Sequence, residues 1–527
     1  MSRPLGTSRG LGLLFAATAL VGCGSDRVAG GSSTETSNRL AARFVDEEGQ
    51  SAAGAVVRIR PSGWTGLASD SVSSGLWRTR LDTSLDASGS LDAAGFADGS
   101  YTIEIASPGL SLRRLLATGQ SVVLDTLREP GGLAGRFSPN WAGSVRVLGT
   151  DRIIVSDSEG AFLDPSMPSG PVVLELRADS AGVTRRAQVR TSVPPRATAD
   201  LGQVRLLTLE EENATLWRNR QRFVIDNTTT GLTRDVPDFP LWIPLPDSVR
   251  RGLQPEGADL RVLDENGSFR PLEMTSSALA GIWARMPRID GSSNEHHLDL
   301  LWGRTDVPSW SEPRSVFDPS AGWLGVWHFD GASSCATDAC GPFRGTARYD
   351  AGIAGRSLRF DGSSSLRTSD SGSLEPPNLS VSLWVHLEAL TGSEARLVWK
   401  DSDGQSALPS WGILVRKSGS GFTVGFRTRN GPSDSGVFAP LPASRWVHLA
   451  ATIERSRQKA ELFVDGVSKG SFEVDSLAPA PRRGDMVVGQ GLVGRIDELR
   501  VSGLSRPNAW FELEHINLTM PGTLLRR

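Results

Sequence analysis

Two strand-like phrases near the C-terminus restrict what this chain can fold into. WVHLAATIE, at 446–454, is followed by the polar run Arg455-Ser456-Arg457-Gln458 and then by KAELFVDG. The pair reads as a β-hairpin segment that closes at Asp465-Gly466, a dipeptide suited to a tight turn. Upstream, LSVSLWVHL at 379–387 alternates apolar and polar residues, as a half-buried strand does. Gly, Pro and Ser clusters interrupt such phrases at short intervals, which predicts a sandwich of two antiparallel sheets. Across the chain the 58 Gly and 31 Pro break helices and make turns, so the expected class is all-β. A length of 527 residues predicts roughly three or four domains.

Four phrases recur in a fixed order in this last third: SLRFDGSSSLRT at 357–368, LSVSLWVHL, RWVHLAATIERSRQKAELFVDGV at 445–467, and GRIDELRVSGLSRPNAW at 494–510. Together they resemble the LamG-like, concanavalin A-like jelly-roll family, with the module spanning 318–520. The resemblance implies a fold and a habit, the binding of glycans or proteins without chemistry. A fold does not by itself fix a function. The resemblance also implies a structural Ca²⁺ held through Asp361 and Asp497, which stand at family-typical positions; turn capping by both carboxylates is the alternative.

The N-terminus reads as a targeting segment. Arg3 and Arg9 precede the apolar run LGLLFAATALVG, which is too short for an ordinary spanning helix. The run ends in Leu20-Val21-Gly22-Cys23, which matches the bacterial lipoprotein box. Residues 1–22 are then a signal peptide, and Cys23 takes a diacylglycerol. A plain secretory signal with an incidental cysteine is the alternative. Residues 23–39, rich in Gly, Ser and Thr, form a flexible tether. The expected location is the bacterial cell envelope, at the outer membrane, with the lipid as the only anchor.

Residues 40–130 resemble the carboxypeptidase regulatory-like β-sandwich, through Gly54-Ala55, the turn Asp86-Ala87-Ser88-Gly89, and Gly99-Ser100-Tyr101. The inserted stretch 62–77 carries Trp64 and Trp77, read either as ligand contacts or as covers for the sandwich edge. A weaker copy follows at 131–210, where Asp157-Ser158-Glu159-Gly160 repeats the turn. Residues 217–310 resemble a bacterial domain of unknown function, a DUF-type β module commonly paired with LamG-like modules. Ile225-Asp226-Asn227, the stretch 259–267, the stretch 283–287 and Trp302-Gly303 carry that likeness.

The chemistry on offer is sparse. A formal net charge of -3 gives no case for nucleic acid as a partner. Of three cysteines, Cys335 and Cys340 are expected to pair as a disulfide in an oxidising compartment. That small loop is worth about 2 kcal/mol or less. His296 and His297 are strand neighbours pointing to opposite faces, which suits no shared metal. Glu473-Val474-Asp475 lacks the third acid of the glucanase pattern, and no nucleophile, zinc or P-loop motif is present. No catalytic residues are therefore assigned, and the chain is read as a non-enzyme needing no cofactor.

The expectation is a lipid-anchored envelope protein whose jelly roll recognises carbohydrate. A structural or adhesive protein with protein partners, and a polysaccharide-active enzyme with an unrecognised site, are the alternatives. A sugar site needs a flat aromatic and a few polar groups. The stretch 400–412 offers Trp411, Asp401, Asp403 and Gln405, and the stretch 430–435 is the next place to look. Burial of Trp411 inside the sandwich is the competing reading.

Overall fold

The structure is a computed structural model that describes residues 39–64, 80–96, 99–119, 121–254, 257–274, 280–305, 307–329, 333–334, 343–345, 348–370, 372–402, 405–430, 433–478 and 484–527. Cys23, Cys335, Cys340, Trp77 and Asp403 lie outside them. The architecture is all-β, closed at its C-terminal end by a large double sheet.

The first two sandwiches are built alike. In each, counting strands from its start, the first pairs with the fourth and, in parallel, with the seventh; the second, third, fifth and sixth form the opposing sheet in the order three, two, five, six. The strands of the first run from Arg39–Val45 to Ser121–Thr126, those of the second from Gly131–Ser138 to Thr198–Arg205. Period-two burial makes each core: Val57, Ile59, Ile103 and Ile105 in one, Leu174, Leu176 and Ala178 in the other. The paired turns also match. Asp86 Oδ1 accepts the Ser88 and Ser90 N–H groups at 2.9 and 2.8 Å, and Asp157 Oδ1 accepts those of Glu159 and Ala161 at 2.9 and 2.8 Å.

Arginines stitch the junctions. Arg60 and the Trp64 indole both reach Asp151, each at 2.7 Å, so Trp64 packs against the second sandwich. Arg186 pairs with Glu312, donates to the Ser309 carbonyl at 2.7 Å and lies 5.0 Å from the Trp310 ring centre.

The third group of sheets and the C-terminal jelly roll are not separable bodies. One sheet of the third group holds Arg261–Asp264, His297–Trp302 and Asn219–Ile225, and its edge is completed by Leu525–Arg526 from the far end of the chain. That strand lies outside the expected 217–310 span. The other sheet, Val236–Pro244 with Gly281–Ile289 and Leu272–Met274, packs on the outer face of the jelly roll's larger sheet. The Asn508–Thr519 helix, which the strand patterning did not foreshadow, fills the space between them. Its Asn517 side chain accepts from the Trp242 N–H at 2.7 Å and donates to the Trp242 carbonyl at 3.0 Å, replacing a strand partner.

The jelly roll itself has a nine-stranded and a seven-stranded sheet with Leu383, Val385, Val415, Phe426, Leu449 and Val488 between them. The Leu379–Leu390 strand is a correction to the half-buried reading. Ser382 and Trp384 on its second face are also buried, because the third group of sheets covers them.

Candidate functional site

The sequence-derived residues do not come together as a sugar site. Trp411 is 2% exposed, with its indole N–H donated to the Leu374 carbonyl at 2.7 Å. It belongs to the core, and that part of the expectation is corrected. Asp401 and Gln405 lie near the ends of the paired Glu394–Ser402 and Gln405–Ser418 strands, and Asp403 lies outside the described residues. Lys400 is fully buried and pairs with Glu375 at 3.0 Å and Asp370 at 3.3 Å.

The two carboxylates expected to hold calcium are occupied by donors. Asp361 Oδ1 accepts from the Ser363 and Ser364 N–H groups at 3.0 and 2.9 Å and from the Ser363 hydroxyl at 2.8 Å. Those bonds hold its carboxyl well below the usual range. Asp497 is buried; Oδ2 accepts from Ile353 and Ala354 N–H at 2.8 and 3.2 Å, and Oδ1 accepts from Glu498 N–H at 2.9 Å. These bonds fit the turn-capping alternative. Among the described residues no group of three or more His, Cys, Asp or Glu is placed to hold a metal. His296 bonds Asp290 at 2.7 Å and Glu265 at 3.2 Å, away from His297.

The face with the makings of a recognition surface is the outer side of the seven-stranded sheet. Its residues come from alternation, broken by a bulge between Arg396 and Val398 that leaves both Arg396 and Trp399 outside. In GFTVGFRTRN, the strand Gly421–Asn430, Val424 and Phe426 enter the core and leave Thr423, Gly425 and Arg427 outside. Register then aligns outward residues in rows. One row runs Arg367, Val487, Trp399, Gly412, Arg427, Gly436. The next holds Arg396, Leu414, Gly425 and Phe438. The one after holds Glu394, Arg416, Thr423 and Pro440.

Glycine at 412 and 425 is a packing requirement. A Cβ at Gly412 would overlap the Trp399 ring, and a Cβ at Gly425 would overlap the Phe438 ring, so each indole or phenyl lies down on bare backbone. Trp399 is sealed, 1% exposed, with the Arg396 guanidinium 4.7 Å from its ring centre. Phe438 stays 40% exposed, with Arg416 at 4.9 Å. Arg416 also donates to Glu394 at 2.7 Å. The strand ends Ser402, Gln405, Asn430 and Ser433 all stand at one end of this face, since the two hairpins run side by side.

A second polar cluster lies between the jelly roll and the third group of sheets. His328 Nδ1 is 2.8 Å from Glu498 and its Nε2 is 3.2 Å from Glu273. Arg500 donates to Glu498 at 3.0 Å and Glu514 at 3.1 Å, and lies 4.3 Å from the Trp283 ring centre. Glu514 approaches His448 at 3.2 Å. Burial would lower the His328 pKa, but Glu498 and Glu273 outweigh it and hold the ring well above its ordinary range. Burial would raise Glu514, but His448 and Arg500 pull it down to about 2. Asp497 is pushed well up by burial and by the adjacent Glu498 charge. All of these groups are buried, and His448, Glu498, Arg500 and Glu514 line a small cavity with Trp283 and Trp384, so the cluster joins the two parts across a shared polar core.

Residues 360–509 match the family described as the Concanavalin A-like lectin/glucanases superfamily, Laminin_G_3. Among solved structures the chain is similar to domain 4 of AbnA, an extracellular GH43 arabinanase from Geobacillus stearothermophilus, in complex with arabinotriose. That likeness is 22% identical over 36% of this chain and 97% of the other, with a TM-score of 0.30. It is also similar to the botulinum neurotoxin serotype G binding domain (11% identity, 37% and 50% covered, TM-score 0.30), so the chain spans about half of that domain. A third is the Ruminococcus gnavus IT-sialidase CBM40 bound to alpha2,3 sialyllactose (11% identity, 30% and 96% covered, TM-score 0.26). These likenesses concern the fold alone. No curated protein sequence matches the chain.

Proposed function

We propose that this protein recognises carbohydrate without turning it over, through the outer face of the seven-stranded sheet. The observation that carries the reading is the exposed Phe438 ring seated on Gly425 with Arg416 beside it. A flat ring takes the apolar face of a pyranose, and a guanidinium fork takes its oxygens. The carboxylates described on this face support binding over hydrolysis. Glu394 is engaged by Arg416 at 2.7 Å, and Asp485 lies 4.0 Å from Arg367, so each faces an arginine and not a second acid.

The test is a glycan array probed with the full chain and with Phe438→Ala. Binding that Phe438→Ala abolishes at an unchanged melting temperature supports the reading. An array with no glycan bound, while a surface protein is captured with measurable affinity, would shift the function to adhesion. Turnover of any bound polysaccharide would make it an enzyme. We also propose that Cys23 anchors the protein by a lipid at the cell envelope; full membrane retention of a cleaved Cys23→Ala chain would remove that part.

A further inference from the structure

We propose that Lys400 carries a covalent modification the chain makes on itself, an amide joining its Nζ to the side-chain carboxyl of Asp370. The 56 basic residues include only four lysines, at 400, 417, 459 and 469. Of these Lys400 alone is buried, and it is buried completely. The other cations buried among the described residues are arginines, such as Arg261 and Arg500. A guanidinium suits a buried ion pair better and is no nucleophile, whereas a desolvated amine is one.

The surroundings of Lys400 are those of an acyl transfer. Its side chain and that of Asp370 are 0% exposed, and that of Glu375 is 7% exposed. Nζ lies 3.3 Å from Asp370 Oδ2 and 3.0 Å from Glu375 Oε1, and donates to the Gly484 carbonyl at 3.1 Å. The other oxygen, Asp370 Oδ1, accepts from the Ser373 hydroxyl at 2.7 Å, the Ser373 N–H at 3.0 Å and the Leu374 N–H at 3.4 Å. The Leu374 N–H is also 3.3 Å from Oδ2. Trp411, opposite Lys400 in the strand pair, holds the Leu374 carbonyl at 2.7 Å and so fixes that turn. One carboxyl oxygen therefore meets the amine, and the other sits in a cradle of donors.

The step balances within these groups. Nζ passes one proton to Asp370 Oδ2, which makes an amine and a carboxylic acid. The amine lone pair attacks Cγ, and the donors of Ser373 and Leu374 hold the charge that develops on Oδ1. Glu375 takes a second proton from Nζ and gives it to the departing Oδ2 hydroxyl. The Cγ–Oδ2 bond breaks, water leaves, and Glu375 is a carboxylate again. One ammonium and one carboxylate become one amide and one water, with no oxidant. Two charges that are costly to bury are removed. The bond joins Leu366–Asp370 to Glu394–Ser402, the strands on either side of Gly484–Gln490 in the seven-stranded sheet. Like a disulfide, it closes residues 370–400 into a loop and restricts the unfolded chain.

The test is peptide mapping of the full chain by mass spectrometry. Trypsin cuts after Arg367, Arg396 and Arg416, and after Lys400 only while that amine is free. The expected product is a branched peptide, 368–396 joined to 397–416, lighter than the two together by one water. Fragmentation should place the branch at Asp370 and Lys400. Cleavage after Lys400, with 368–396 recovered at full mass, overturns the proposal. A branch at Glu375 overturns the assignment of Asp370 as the acyl group. Glu375→Gln keeps both joined groups and removes the proton carrier, so linkage should slow by about 100-fold. Linkage at the native rate in that variant removes Glu375 from the step. If Glu375→Gln fails to fold, the digest of the native chain still decides whether the bond is present.

Discussion

Single residues show where alternation in sequence is informative and where it misleads. Asp86 and Asp157 could be read as turn residues because the Asp-x-x-Gly spacing is local, and their carboxylates accept the two N–H groups that such a turn leaves over. Trp411 could not be assigned from sequence, because a loop tryptophan and a core tryptophan carry the same neighbours. Its burial and its bond to Leu374 decide the matter, and Trp411→Ala should cost about 3–5 kcal/mol of stability in chemical denaturation. An unmoved midpoint would contradict this. The cluster around His328 was also invisible, since Glu273, His328, Glu498 and Glu514 are far apart in sequence. It predicts a pH dependence. His328 has a folded pKa above its unfolded one, so its contribution is whole below about pH 6.5 and fades as pH rises through the folded value. Asp497, also raised, acts in the same direction, its contribution fading as pH rises from its ordinary value near 3.8 through the folded value. Glu514, held at about 2, contributes above its ordinary value near 4.5 and loses that contribution as pH falls towards 2. Melting temperature followed across pH should therefore decline on both sides, and His328→Gln should flatten the alkaline decline.

At the scale of elements, the strands of the jelly roll were legible because period-two patterning and Gly-rich turns are short-range signals. The Gly421–Asn430 strand shows the benefit: its apolar set, Val424 and Phe426, fixes by elimination that Gly425 and Arg427 face outward. The Asn508–Thr519 helix was not legible. Asn508, Glu512, His515 and Thr519 do recur at helical spacing, but the polar Glu514 and Asn517 are buried on the opposite side and blur that stripe. The Leu525–Arg526 strand was equally hidden, being two residues long and paired with a strand at Asn219–Ile225. It carries weight nonetheless. Leu524 and Leu525 are buried, the Asp226 N–H donates to the Leu524 carbonyl at 2.8 Å, and Arg526 pairs with Asp226 at 2.9 Å. Deleting residues 521–527 should lower stability by about 3–6 kcal/mol, two buried leucines at roughly 1.5–3 kcal/mol each. Hydrogen exchange should then show loss of protection in the Asn219–Ile225 strand. Unchanged protection there would mean the pairing contributes little.

For the whole molecule the decisive feature is that one apolar core crosses what the sequence presents as a domain boundary. The first two sandwiches each close their own core, with Phe44 and Ile103 in one and Phe137 and Leu174 in the other. The third group of sheets and the jelly roll instead share Phe239, Trp242, Trp283, Trp323, Trp384, Phe463 and Trp510. A family resemblance delimits the jelly roll by its own strands and so draws the border through that core. A fragment of residues 318–527 should therefore strip Phe239 from Trp510, Phe317 from Trp323 and Glu273 from His328, leaving the apolar side of the helix and its neighbours as one uncovered patch. Such a patch drives association. The expected outcome is that residues 318–527 elute as aggregates in size-exclusion chromatography, while residues 211–527 elute as a single species. The longer fragment should melt in one calorimetric transition, because the shared core makes the two parts unfold together. If residues 318–527 are monodisperse and melt at the temperature of the same region in the full chain, the shared core is not a cooperative unit. The glycan measurements are designed on the full chain for this reason: loss of binding in the short fragment would report a broken interface on the far side of the jelly roll, not the absence of a site on the face carrying Phe438.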